Sequence, residues 1–522
     1  MADSGLLASA LARAARDDYP DWLAQAAATG GCSRPVRLRG QIRHIDPATG
    51  EILRTLSTAD APDGVIYTAC GDRRASVCPS CAETYRADTY QLIRAGLAGG
   101  KGMPESVAVH PCVFVTFTAP SFGAVHASIT GPDGQVQRCR PRRRRSICSH
   151  GRSLSCPHRH RETDTCLGKP LCPDCCDYAG AVVWNAHAPE LWRRTTIALR
   201  RRLDKLARDH GTRVKVSYAK VAEFQRRGLV HFHAIIRLDG LDPTDPYRVI
   251  APHPAFTAQL LTEAIRAVIA VTWFATVAHP AKPKGWDICW GPQLDIRTVR
   301  MSGAGEITDT AVASYLAKYA TKSTEAVGPV AARITPGNLH AYASPFTHHG
   351  RLIRAAWTLG HHPHQDFQAL RRWAHMLGFR GHFATKSRRY STTLRALRTA
   401  RITWHRRQHI TAEHREETTL IVGTLTYVGT SWRTTGDEFL AMSLCPPAKK
   451  LLGSHDQEGG IAVVSGPYLT TDEAAAMLHI SRWQLFTLIK SRELPSFKPG
   501  RRRLIPLAAI EAYADRRIED AV

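Results

Sequence analysis

The chain has 522 residues, 43% of them hydrophobic, and its lysines and arginines exceed its acidic residues by 25, for a pI of about 9.8. Length allows roughly three or four domains, and a charge of this sign favours a polyanionic partner, nucleic acid first. The longest apolar run, residues 267–278, is too short to span a bilayer, and early charges (Asp3, Arg13, Arg16, Asp17, Asp18) argue against a secretory segment, so a cytoplasmic protein without a membrane partner is expected.

Residues 1–65 read as a helix over Leu6 to Ala28 followed by short strands such as Gln41 to Ile45, with no evident chemistry. Cys70, Cys78 and Cys81 follow, the last two spaced C-x₂-C. A tetrahedral structural zinc wants four ligands, and Cys32 is one possible fourth. A redox dithiol is the weaker alternative, because no βαβ pattern follows. Apolar spacing from Glu83 to Leu97 is helical. Cys112 to Thr118 then alternates as a strand ending at Ala119 and Pro120.

The segment 138–178 is rich in Cys and His, lacks periodicity and favours turns, which suits a fold built around metal rather than an apolar core. Its candidate ligands are Cys139, Cys148, His150, Cys156, His158, His160, Cys166, Cys172, Cys175 and Cys176, enough for one or two zinc sites. Cys148, Cys156, Cys172 and Cys175 are the first choice, with His150, His158 and His160 as competitors. The chain has fourteen cysteines and no export signal, so metal is favoured over disulfides.

Leu191 to His210 reads as a basic amphipathic helix, and it leads into a strand-like segment, residues 214–224, that closes on Glu223 and Phe224. After the break at Arg226, Arg227 and Gly228, Val230, Phe232, Ala234, Ile235 and Ile236 mark a buried strand. Its period of two sends His231 and His233 to one face. With Glu223 on the returning neighbour, two nitrogens and a carboxylate suit Mg²⁺ or Mn²⁺ with positions left open for phosphate oxygens. A helix over Ala258 to Val277 and a strand over Leu294 to Arg297 complete an order that fits an α+β sandwich with an antiparallel sheet.

Asp309 to Thr324 has helical spacing with no proline, and Tyr315 and Tyr319 lie one turn apart on it, followed at three residues by Lys318 and Lys322. A phenol is a poor nucleophile at neutral pH. A nearby ammonium and a polarised phosphate are what would let it attack phosphorus. Tyrosines packed on a sheet with lysines in water is the plain structural alternative.

In order, residues 114–118 (FVTFT), 231–233 (HFH) and 315–319 (YLAKY) resemble the three motifs of rolling-circle replication initiators of the HUH (histidine, hydrophobic, histidine) endonuclease superfamily. The resemblance spans about residues 65–390 and looks closest to the initiators of actinobacterial plasmids and integrative elements. It implies a ferredoxin-like or RRM-like sheet with the histidines on a central strand and a catalytic divalent metal. It also implies a tyrosine that cuts one DNA strand, leaving a 5′-phosphotyrosine and a 3′-OH that primes rolling-circle synthesis. Carried over by position, His231 and His233 are ligands, Glu223 a third, and Tyr315 or Tyr319 the nucleophile, with host helicase and polymerase as further partners. Paired tyrosines are similar to those of phage-type initiators and of two-tyrosine rolling-circle transposases. The transposase is one rival reading, and a non-catalytic zinc-dependent DNA-binding regulator is another. The Cys/His segment is absent from minimal members.

The nicking domain is thus expected over 66–390, a basic unassigned region with a strand-like Leu420 to Val428 over 391–445, and a linker over 446–465. Residues 466–522 resemble an excisionase-type, MerR-like winged helix-turn-helix domain. There Ser481, Arg482, Trp483 and Gln484 would enter the major groove, and a basic hairpin carrying Arg501, Arg502 and Arg503 would meet phosphate ahead of a last helix from Pro506.

Overall fold

The computed structural model describes residues 2–46, 49–131, 134–141, 146–245, 248–300, 307–322, 333–409 and 420–444. In the C-terminal segment it describes 468–471, 474, 485, 488, 489, 491, 493–496, 504–506, 509 and 513. The chain divides into two compact units, residues 1–451 and 452–522.

The expected first helix is two, Ala2–Ala14 and Tyr19–Ala28, because Pro20 in the first turn of the second has no N–H to continue the first. The N-terminal region and the region after residue 391, expected to be separate, share one sheet. Val36–Ile45 pairs antiparallel along its length with Leu420–Thr430, and also with Ile52–Ser57 and Ile66–Thr68. Buried Arg13 bonds Asp437 at 2.7 Å and Asp63 at 2.9 Å, and Trp432 packs on Trp22 and Tyr67. A strand whose partner lies hundreds of residues away gives no local sign of it.

The larger sheet runs in the order Ile307–Thr308, Leu294–Arg300, Cys112–Phe117, Val230–Leu241, Val214–Phe224, Ala384–Lys386, and is antiparallel apart from the first pair. The protein is α+β. The histidine strand is paired along both edges, and a core lies on each of its faces. Phe232, Ala234 and Ile236 face the main core with Trp192 and Trp290. Ile235 faces a second core, formed with Phe114, Val221 and Ala219, that carries helices Pro79–Ala98 and Asp309–Lys322.

Helix Tyr178–Asp209 starts well before the expected Leu191. Asp177 caps it through the N–H of Gly180, and its first turns are buried all round and so show no amphipathic stripe. The expected helix to Val277 stops at Val271, and Trp273–Ala275 pairs with Asp287–Cys289 instead. Val271, Thr272, Trp273 and Phe274 form a β-branched and aromatic run that prefers the extended chain.

On the second-core face the histidine strand continues into Arg237 and Asp239, both fully buried. Asp239 accepts from Arg237 Nε at 2.7 Å and Ser217 Oγ at 2.6 Å and pairs with His110 Nδ1 at 2.8 Å. Arg237 also donates to the carbonyls of Gly96 and Tyr390, fastening helix Pro79–Ala98 to the sheet. Asp239→Ala leaves a buried guanidinium without its counterion and is expected to cost about 3–5 kcal/mol in chemical denaturation. Burial raises the Asp239 pKa, but the hydrogen bonds from His110 and Arg237 outweigh it and the net shift is downward. Its contribution is therefore complete above the unfolded carboxylate pKa of about 3.9 and is lost as pH falls through the folded value.

In the C-terminal unit Ala474, Leu485, Leu494 and Ile505 form a small core, and Leu504–Pro506 pairs antiparallel with Tyr468–Thr470. The end of the expected basic hairpin is thus a strand that pairs with the start of the domain. Pro506, expected to open a helix, is its last residue. Ser481, Arg482, Trp483, Gln484, Arg501, Arg502 and Arg503 lie outside the described residues.

Candidate functional site

The register of the two longest strands sets Glu223 directly opposite His231, and His233 opposite Val221 on one side and Thr116 on the other. The tight turn at Gly228, whose φ of 76° suits glycine, brings the chain back between Phe224 and Val230. Glu223 Oε2 lies 2.8 Å from His231 Nε2 and 3.1 Å from His233 Nε2, and the two Nε2 atoms are 3.1 Å apart. These three contacts cannot all be hydrogen bonds, since two imidazole nitrogens that face each other and one carboxylate oxygen supply too few protons in the right places. Three donors at adjacent octahedral positions around a cation at about 2.1 Å are separated by about 3 Å, which matches the set and leaves the opposite face open. Nitrogen and oxygen donors without sulfur fit Mg²⁺ or Mn²⁺.

The environment keeps the donors in binding form. Burial lowers the His233 pKa, and His231 adds to the effect over the opposing pull of Glu223, so the imidazole stays neutral. Burial raises that of Glu223, but its contacts with both histidines prevail and its net shift is downward. With Nε2 as the ligand atom, His233 Nδ1 donates to Thr116 Oγ1 at 3.1 Å, and the ring stacks on Phe114 with centroids 5.8 Å apart. Thr116 and Phe114 were legible as part of a core strand and, by resemblance, of the first motif; this orienting role needed the register.

The helix Asp309–Lys322 packs Val312, Ala313, Leu316 and Ala317 inward. Tyr315 stands at the edge of that stripe, 37% exposed, with its hydroxyl 3.4 Å from His233 Nε2 and its ring edge-on to Phe114 and His233. A phenolic oxygen, two imidazoles and a carboxylate from sequence positions 223 to 315 thus meet at one solvent-accessible point. Lys318 is exposed on the same helix; Tyr319 and Lys322 belong to the helix, but their side chains lie outside the described residues.

Among the described residues ligand atoms gather in four further groups, one of which, His160 with Asp164 and Cys166, shares His160 with a larger one. Cys70, Cys78 and Cys81 come together with Cys32. The expected set Cys148, Cys156, Cys172 and Cys175 is divided. Cys148, Cys172 and Cys175 join His150, whereas Cys156 joins His126, Cys139 and His160. The reason is a hairpin-like fold of the segment: Arg140 bridges Cys156 and Ile147 bridges Ser153, so Cys156 sits beside Cys139 and Cys148 is carried to the far end. His126 was missed because it precedes the cysteine-rich stretch. His158, expected as a competitor, is in none of these groups.

Residues 468–518 match a helix-turn-helix domain family, which makes the chain a DNA-binding protein that carries a compact His/Glu/Tyr site on a separate unit. Residues 18–445 match the family described as replication initiator protein, pSAM2, and the chain belongs to that family. It is 42% identical over 455 residues to the replication initiator protein of Streptomyces ambofaciens, across 85% of this chain and 93% of the relative. No solved structure matches. Among the described residues no helix is long and apolar enough to cross a membrane.

Proposed function

We propose that this replication initiator is a site-specific nicking enzyme of the HUH type, which opens one strand of its origin by transesterification and remains joined to the 5′ end. The observation that carries the reading is the Tyr315 hydroxyl 3.4 Å from His233 Nε2, one of the three donors His231, His233 and Glu223. The interior position of the histidine strand in an antiparallel sheet, with helices on both faces, supports a ferredoxin-like arrangement.

In the reaction the Tyr315 oxygen attacks the scissile phosphorus and its proton leaves to water. A Tyr–O–P bond forms as the P–O3′ bond breaks, and the departing O3′ takes up a proton to become the 3′-OH that primes synthesis. One phosphodiester replaces another, so no external energy source is needed. A divalent cation held by His231, His233 and Glu223 would polarise the phosphate oxygens. The protein's own residues do the rest: Phe114 and Thr116 fix the His233 ring, and Leu316 and its buried neighbours hold the tyrosine helix on the sheet. Lys318, exposed three residues after Tyr315, supplies positive charge for the DNA backbone, and Lys322 follows Tyr319 at the same sequence spacing.

Incubation of the full chain with Mn²⁺ and a supercoiled plasmid carrying its own locus tests the reading. Relaxed plasmid with protein covalently on the 5′ end is expected; a non-catalytic DNA-binding regulator would bind and leave the plasmid supercoiled. Thr116→Val, which deletes the hydroxyl behind His233, is expected to weaken Mn²⁺ binding about 10–100-fold with the fold intact, read by calorimetric titration and circular dichroism.

A further inference from the structure

We propose that the chain holds three structural zinc ions, each in a site of distinct composition: Cys₄ at Cys32, Cys70, Cys78 and Cys81; Cys₂His₂ at His126, Cys139, Cys156 and His160; and Cys₃His at Cys148, His150, Cys172 and Cys175. Donor spacing is the first ground. Zn–S bonds near 2.3 Å put tetrahedral sulfurs about 3.8 Å apart, and mixed N/S ligands are closer, about 3.5 Å. Cys78 Sγ lies 3.8 Å from Cys32 Sγ, and Cys70 Sγ lies 3.6 Å from Cys81 Sγ. Cys156 Sγ lies 3.3 Å from His160 Nε2, and His150 Nδ1 lies 3.2 Å from Cys175 Sγ and 3.7 Å from Cys172 Sγ. A disulfide needs sulfurs about 2.05 Å apart, and all of these cysteines are free thiols.

The second ground is the surroundings of the ligands. Backbone N–H groups point at the sulfurs: Cys70 N at Cys32 Sγ, Asp72 N at Cys70 Sγ and Ala127 N at Cys139 Sγ, at 3.2 to 3.4 Å. Such donors stabilise thiolates. His160 turns Nε2 to the Cys₂His₂ cluster while its Nδ1 meets Asp164 Oδ2 at 3.2 Å, the carboxylate–histidine arrangement that orients zinc ligands. Cys166 stands 3.4 Å from the same Nδ1, beside the site rather than in it.

The third ground is need. The described residues of 124–177 form only two-residue strands and a single short turn of helix, and contribute almost nothing apolar to the main core. A segment of this kind requires crosslinks to hold one shape. It has a structural task, because it packs on the turn joining Glu223 to His231. Arg226 Nη1 donates to Asp164 O at 3.2 Å, and Gly168 approaches the Arg226 backbone where no Cβ fits. On the other side Asp174 pairs with Arg351 at 2.7 Å. Zinc in this segment therefore braces the loop that sets the spacing of the candidate active site.

Metal content tests the proposal without reference to cleavage. The full chain is purified as His233→Ala, which removes the His/Glu site from the count, and is assayed by elemental analysis. Three zinc ions per chain are expected, and adding Cys32→Ser, Cys139→Ser or Cys148→Ser should each remove one. Should those variants not fold, the cobalt-substituted parent still reports. Its thiolate-to-metal charge-transfer intensity should correspond to nine metal–sulfur bonds, the cysteines of the three sites together. Fewer than three ions in the parent, iron in place of zinc, or an undiminished count in a folded cysteine variant would overturn it.

Discussion

Tyr315→Phe is expected to abolish the covalent protein–DNA product, by roughly 10⁴-fold or more, the scale on which removal of an enzymatic nucleophile acts. The substitution removes one oxygen and leaves the ring, whose packing against Phe114 and His233 is edge-on and apolar, so the fold and the metal donors are undisturbed. Among the described side chains Tyr315 places its hydroxyl at the donor cluster, and the residue is partly exposed, as a group that must meet a phosphate requires. Tyr319→Phe is expected to differ, sparing the first nick and impairing strand closure. Labelled single-stranded origin oligonucleotides on denaturing gels, with mass mapping of the DNA-linked peptide, separate the two. Nicking at the parental rate by both single variants and by the double variant would rule out tyrosine chemistry.

Short-range pattern carried much of this molecule. The alternation around Phe232 gave a strand, its face and the shared side of His231 and His233, because period and burial are both local properties. Glu223 could be paired with His231 because only a short turn separates the two strands. What lay beyond reach was long-range pairing. Thr116 meets His233 across a separation of 117 residues, and Val36–Ile45 meets Leu420–Thr430 across the whole first unit. Strand edges are chemically alike, so composition does not say which edge a segment will join. The Cys/His segment shows the same limit in another form. Its ligand types were evident, but which ligands share an ion is set by isolated bridges such as Arg140 with Cys156, which carry no sequence period. Helix ends failed where tertiary burial overrode propensity, as at Tyr178, or where a β-branched run competed with the helix, as at Thr272.

His231→Ala with His233→Ala is expected to remove Mn²⁺-dependent cleavage while sparing binding to duplex DNA. Two of the three donors go, and the remaining carboxylate, held by those same histidines, has no partner to orient it. Loss of a metal's charge stabilisation is worth several kcal/mol in the transition state, so a fall of about 10³-fold or more is expected. Duplex binding should persist because the helix-turn-helix match lies within residues 468–518, in a compact unit separate from the sheet. Glu223→Gln divides the contribution further. It keeps the shape of the third donor and removes its charge, so cleavage should fall less and should recover in part as Mn²⁺ is raised, which truncation of both imidazoles does not allow. Cleavage by the double histidine variant at the parental rate and Mn²⁺ dependence would mean that the cation acts elsewhere. The close spacing of Glu223, His231 and His233 would then be only the packing of a polar cluster on one face of the sheet.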